Sequence, residues 1–306
     1  MTPSSSLRLI ELRLAAAAAL EAGSGRSPWP PTYPDPFPAL VGSPPEITGA
    51  DLDTEVLGGA VRHHGCLVAR NLLDQAQVAN LLDAVSQART HLDALDAGSP
   101  DHVSSWYRPV VTHPKVKNQV LRNMVAGQGG IWLADSPTGT ARVLAELEAT
   151  GVIASIAGHF GERPFFSLQK STLRKSLPIH DLVAWHQDGS FLSRDVRTMN
   201  VWIALSPCGG DYPAPGLEVV PRRVEEVQPV DGGLTPHSIS SDLVADLAVE
   251  TPTVCPRFEP GDAMLFDERF VHRTHLPAVL TEIRFALECW FFAPSHQSTD
   301  YVPLLV

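Results

Sequence analysis

The sequence predicts an α+β fold in which helices come first and a run of short strands follows. Helical apolar spacing recurs before Gly161, whereas after it short apolar or alternating segments are separated by Pro, Gly and Asp. Such segregation puts helices on one face of a β core, and many short strands at this spacing suggest a sandwich or barrel. The composition agrees: 306 residues, 44% hydrophobic and 19% charged, suit one large globular domain.

Residues 4–22 are rich in Ala and Leu and stop at Gly23, which predicts a helix. Arg8, Glu11 and Arg13 interrupt its apolar run, so it reads as a surface helix and not as a secretion signal. Prolines in residues 27–38, SPWPPTYPDPFP, forbid helix and central strand alike, and leave an ordered wrap and a loose linker both open. Residues 51–62 have helical periodicity, 65–70 form a short apolar strand, and 73–95 return to a helix. A second long helix is expected over 138–160. Strands are expected at 165–173, 183–186, 198–205, 217–220, 263–266, 270–274 and 283–292. Residues 106–132, around the glycines at 127–130, read as part of a lid. The chain thus divides into an N-terminal helix and Pro-rich segment, 1–45, and a single domain, 46–306.

With 34 acidic against 23 basic residues the net charge is −11, which repels phosphate backbones and anionic membrane surfaces. Nucleic acid and membrane are therefore poor partners, and a small-molecule substrate is the expectation. No run of about 18 apolar residues offers a membrane span. Cys66, Cys208, Cys255 and Cys289 lie far apart, form no CxxC pair, and read as reduced, buried hydrophobes in a cytoplasmic protein.

The chemistry concentrates in two blocks. In Trp185-His186-Gln187-Asp188-Gly189, residues two apart on a strand share a face, so His186 and Asp188 converge. Imidazole plus carboxylate, completed by a second histidine, is the facial triad of non-haem Fe(II) oxygenases. The second block runs from Pro260-Gly261-Asp262 through Phe266 to Phe270-Val271-His272-Arg273-Thr274-His275. There Gly-Asp makes a tight turn into a strand, and a following strand carries His272 and Thr274 on one face. His275, three residues on from His272, falls on the opposite face. Ten residues beyond Thr274 stands Arg284, whose side-chain type best holds a carboxylate bidentately. Gln169, Lys170, Thr172 and Arg174 include cationic candidates for a substrate or co-substrate contact, though the sequence does not tell which face points inward. Trp185, Trp202 and Trp290 read as core or pocket wall.

These blocks resemble the phytanoyl-CoA dioxygenase family of Fe(II)- and 2-oxoglutarate-dependent oxygenases. The resemblance rests on WHQDGSF (185–191), NVWIALSP (200–207), PGLEVVP (215–221) and GDAMLFD…FVH…R (261–284), and covers roughly residues 50–293. It implies a double-stranded β-helix, a jelly-roll of cupin-like form, at about 163–293 with flanking N-terminal helices. It further implies His186, Asp188 and His272 as metal ligands and as the catalytic set. Arg284, with Thr274, would bind the distal carboxylate of 2-oxoglutarate, with O2 as the other co-substrate. The implied activity is hydroxylation of a C–H bond with release of succinate and CO2. Asp188 favours oxygenation over halogenation, because related halogenases lack this carboxylate. One difference is that Arg222-Arg223 stand where the family usually has Gly-Ser-His. The alternatives are a cupin-type metal enzyme that uses no 2-oxoglutarate, and a non-catalytic β-barrel binding protein.

Overall fold

The structure is a computed structural model that describes residues 3–22, 29–96, 104–110, 119–178, 184–192, 195–232, 235–297 and 301–306. It is a mixed fold of helices and one large sheet, with helices leading as the sequence predicts. In the first half come α1 (Pro3–Ala22), β1 (Glu46–Thr48), α2 (Thr54–His64), β2 (Cys66–Arg70), α3 (Gln75–Asp96), α4 (Gln119–Gly127), β3 (Ile131–Trp132), α5 (Pro137–Ala149) and α6 (Val152–Phe160). The second half holds β4 (Phe165–Ser167), β5 (Thr172–Ser176), β6 (Thr198–Ala204), β7 (Gly216–Val219), α7 (Ser241–Leu247), β8 (Ala263–Phe266), β9 (His272–His275), β10 (Arg284–Phe292) and β11 (Pro303–Leu305).

Nine strands form the large sheet in the order β1-β2-β8-β6-β10-β4-β11, with β5 bridging β10 and β3. Side chains alternate across a sheet, and here the two faces have different tasks. One face carries Leu67, Val201, Ile203, Leu265, Leu287, Cys289 and Phe291, which pack with Leu57, Leu81, Leu144 and Ile156 from the helices into the main core. Each such buried aliphatic side chain contributes roughly 1.5–3 kcal/mol. The other face carries Trp202, Ala204, Met264, Phe266 and Ala286. Leu217 and Val219 of the two-stranded sheet β7–β9, with Phe270, close over it. The helical layer buries one side of the sheet; the functional cavity lies on the other.

Three expectations are corrected. The helix over 138–160 is two helices, α5 and α6, bent by 78°. Gly151 at the break has φ +77, a left-handed conformation that a side chain would oppose. Apolar residues on both sides of Gly151 hide that break from a periodicity count. The strand over 165–173 is likewise two, β4 and β5, separated by a turn in which Lys170 and Ser171 donate to Ser167 O. Finally, Val183 of the expected strand 183–186 lies outside the described residues, and His186 is an isolated bridge partner of His272.

The Pro-rich segment is an ordered wrap over its described part, 29–38. Trp29 and Tyr33 sit 5.4 and 5.8 Å from the His159 ring, and His63 Nε2 bonds Tyr33 O at 2.9 Å. Among the described residues no single helix is long and apolar enough to cross a membrane. The four cysteines are free, and three of them are buried.

Candidate metal centre

His186 and His272 are locked together by backbone. Each amide donates to the other's carbonyl, at 3.0 and 3.1 Å, and the two rings lie 4.4 Å apart. Each Nδ1–H then donates to a carbonyl two residues back, Ala184 for His186 and Phe270 for His272, both at 3.0 Å. Those bonds fix the tautomer and leave each Nε2 with a free lone pair. Asp188 follows at the start of a single 3-10 turn, 188–190, and not in a regular strand. Its convergence with His186 therefore comes from a turn, not from the strand alternation that the sequence suggested.

That turn is clamped on its outer side. Gly189 N donates to Glu268 O at 2.7 Å. The fully buried Gln187 side chain donates to Glu226 O and Arg269 O and accepts from Gln228 N at 2.6 Å. Arg223, on the segment after β7, pairs with Asp267 on the loop after β8 that carries Glu268 and Arg269.

Asp188 Oδ1 ends 3.8 Å from His186 Nε2 and 4.0 Å from His272 Nε2. The three ligand atoms all lie within 4.8 Å of one another, the span of a single cation's coordination sphere. Among the described residues Asp188 Oδ2 is buried without a hydrogen-bond partner at normal geometry. Burial pushes the Asp188 carboxyl up to about 6, and pushes His186 down to about 4 with help from the neighbouring His272. Burial lowers His272 as well. Neutral imidazoles and a carboxylate that no lysine or arginine among the described residues ion-pairs suit a divalent metal with nitrogen and oxygen ligands. The residues present fit Fe(II).

The structure brings Thr274 and Arg284 to the same cavity of about 270 Å³, also lined by Lys170, Asn200, Trp202, Leu217 and Glu288. Thr274 pairs with Leu217 across β7–β9. His275 is turned away, with Nδ1 3.6 Å from the Glu218 carboxylate that also holds Arg273. Arg284 is 2% exposed, donates to Gly216 O at 2.9 Å and Ser176 Oγ at 2.9 Å, and leaves Nε unpaired. Burial pushes this interior guanidinium below its ordinary value, and its charge has no carboxylate partner among the described residues.

Sequence reasoning missed Asn200 and Glu288, whereas Trp290 lines the cavity as the reading of core or pocket wall allowed. Alternation along β10 puts Arg284, Ala286, Glu288 and Trp290 in one row, so counting by twos from Arg284 finds Glu288. Glu288 pairs with Arg174 at 2.9 Å. The cavity opens into a second one of about 690 Å³, reached past Met124, Val125 and Gln128 of the α4 region. That is the described portion of the expected lid that borders the site; residues 111–118 lie outside the described set.

A family model described as Phytanoyl-CoA dioxygenase (PhyH) matches residues 61–276. Among solved structures, EctD from S. alaskensis with 2-oxoglutarate and 5-hydroxyectoine has TM-score 0.55 and 19% identity, over 86% of this chain and 87% of that one. AviO1 from Streptomyces viridochromogenes Tue57 has TM-score 0.51 and 18% identity, over 81% of this chain and 98% of that one. At these identities the likeness is one of fold. No curated protein matches the sequence.

Proposed function

The chain belongs to the phytanoyl-CoA dioxygenase family and is a 2-oxoglutarate-dependent non-haem iron oxygenase, and from that premise we propose that it hydroxylates a C–H bond of a small molecule. His186, Asp188 and His272 hold the iron, while Thr274 and Arg284 hold the distal carboxylate of 2-oxoglutarate. The observation that carries this reading is the pairing of a compact three-ligand set, two of its members buried, with a buried, carboxylate-free arginine in one cavity. We read the large sheet, with β7–β9 closing over its inner face, as the double-stranded β-helix of the domain 46–306.

Bound there, Fe(II) with 2-oxoglutarate and O2 supplies the oxidising power, and succinate and CO2 are the co-products. The chain's own contribution is positional. The Ala184 and Phe270 carbonyls hold both imidazoles with Nε2 inward, so no proton needs to leave when the metal arrives. Gln187 and Glu268 O fix the turn that aims Asp188. Arg284 orients the co-substrate from the end opposite its keto acid, with its own position set by Gly216 O and Ser176 Oγ. Phe191, Trp202 and Trp290 exclude water from the cavity that receives the substrate.

The test is anaerobic addition of Fe(II) and 2-oxoglutarate to purified protein. One iron per chain and the weak visible metal-to-ligand charge-transfer band of the family are expected, followed by substrate-stimulated succinate release in air. Fully iron-loaded, folded protein without that band would overturn the assignment. A cupin-type enzyme without 2-oxoglutarate leaves the Arg284 site without a task, which disfavours it.

A further inference from the structure

Lys170 occupies the turn between β4 and β5, and its neighbours are fixed on both sides. Gln169 is buried, accepts from Trp132 Nε1 through its carbonyl at 2.8 Å and from Val302 N through Oε1 at 2.7 Å. Ser171 is fully buried, donates to Ser167 O at 2.8 Å and accepts from Trp290 N at 3.1 Å. Between these two anchors the lysine side chain lines the cavity beside the candidate metal centre. Its Nζ lies 4.2 Å from the Phe191 ring centre, 4.7 Å from Trp290 and 5.9 Å from Tyr301. Ring faces stabilise an ammonium but accept none of its three N–H donors in a normal hydrogen bond.

A purely structural ion pair does not account for this residue. The carboxylates whose charges act on it are Asp188 and Glu288, and among the described residues no carboxylate forms an ion pair with Nζ. Glu288 is already held by Arg174 at 2.9 Å, and Asp188 belongs to the triad. Burial brings the ammonium down to about 8, so it is still the cation at neutral pH. Among the described residues, the charged groups lining the cavity are three cations (Lys170, Arg174, Arg284) and two carboxylates (Asp188, Glu288). Fe(II) and the 2-oxoglutarate dianion would cancel each other, so one positive charge remains over. Position adds a direction: the Phe191 ring reaches from Lys170 to within 6.4 Å of the His186 ring centre. A ligand that spans Phe191 therefore joins the ammonium to the metal side of the cavity.

Resting on the oxygenase reading above, we infer that Lys170 is the subsite for a carboxylate on the substrate to be oxidised, a small monoanion whose apolar body lies against Phe191 and Trp290. The co-substrate's carboxylate has its own partner in Arg284, and the two cations serve different molecules.

The test uses the anaerobic Fe(II)·2-oxoglutarate complexes of the full chain, wild type, Lys170→Met and Lys170→Arg. Each is titrated calorimetrically with hexanoate, octanoate and phenylacetate and with the matching neutral amides. Wild type should bind at least one carboxylate tenfold or more tighter than its amide. Lys170→Met should bring the pair within about twofold, and Lys170→Arg, which restores the charge, should keep most of the preference. The 2-oxoglutarate titration of the charge-transfer band should move less than threefold in Lys170→Met. The inference is overturned if wild type shows no carboxylate preference with any pair, or if the preference survives in Lys170→Met. A tenfold loss of 2-oxoglutarate affinity in Lys170→Met would also overturn it, by moving Lys170 to the co-substrate site. Repeating the paired titrations on iron-free protein separates the two readings. A missing charge-transfer band counts against the oxygenase, whereas a preference unaffected by Lys170→Met counts against this subsite alone.

Discussion

The amides and carbonyls of His186 and His272 are bonded to each other in both directions, so two residues 86 positions apart behave as one rigid unit. Their Nε2 atoms converge because the backbone pair and the two Nδ1 bonds leave each ring one orientation.

The first expected outcome concerns the choice of histidine. His272→Ala should lower bound iron from one per chain to a small fraction of that, measured anaerobically by metal analysis after desalting. His275→Ala should retain iron, because its ring pairs with Glu218 on the outer face of β9. The reverse pattern would mean that the register of β9 against β7 is wrong.

Arg284→Ala should leave iron loading nearly intact and raise the 2-oxoglutarate concentration needed for half-saturation by about thirtyfold or more. That factor corresponds to the low end of the roughly 2–5 kcal/mol lost when a buried charge pair is truncated. The charge-transfer band titrated with 2-oxoglutarate reads it directly. An unchanged titration would move the carboxylate site to another cation of the cavity, Lys170 or Arg174.

What the sequence makes legible follows from how local each signal is. The facial triad can be read because HxD, the Gly261-Asp262 turn and the distal histidine are short motifs in a fixed order. Gly261 even shows its reason in the fold: at φ +98, a Cβ there would come 2.1 Å from Leu73 O. Lys170 and Glu288 are not legible as a pocket pair, because a turn and a cross-strand register decide which way they point, and both are tertiary. Strand segmentation at 165–176 is lost for the same reason, since only the Ser167 carbonyl marks the turn. The direction of Asp188 is right by sequence and wrong in cause, a turn having replaced a strand.

The split of the expected long helix gives a stability prediction free of packing effects. A Cβ on Gly151 would meet nothing within 4 Å, so Gly151→Ala pays only for holding an L-residue at φ +77. The cost should be about 1–2 kcal/mol, which lowers Tm by about 2–3 °C in a chain of this size. Iron and 2-oxoglutarate binding should not change. No loss of Tm would show that the break between α5 and α6 relaxes without strain.

His159 supplies the pH dependence. Its ring is 3% exposed, packed among Trp29, Tyr33 and Phe160, with Nδ1 lacking a hydrogen bond. Burial pushes it down from an ordinary 6.5 to about 4; Asp267 opposes that shift, and Arg223 and Arg62 reinforce it. A depressed histidine stabilises the fold fully above its unfolded value, where both states are neutral. As pH falls from 6.5 towards 4, the unfolded chain takes up a proton that the native ring refuses, and that stability is lost. The loss should reach about 2 kcal/mol by pH 5 and about 3 kcal/mol below pH 4. His159→Phe keeps an aromatic ring in place and removes both the titration and the unpaired nitrogen. Urea unfolding of the two proteins at pH 7 and pH 5 isolates the effect, because every other titrating group is common to both. Wild type should lose about 2 kcal/mol more than the variant between these pH values. Parallel losses would mean that the native ring accepts its proton near the ordinary value, and that the wrap formed by Trp29 and Tyr33 opens readily to water.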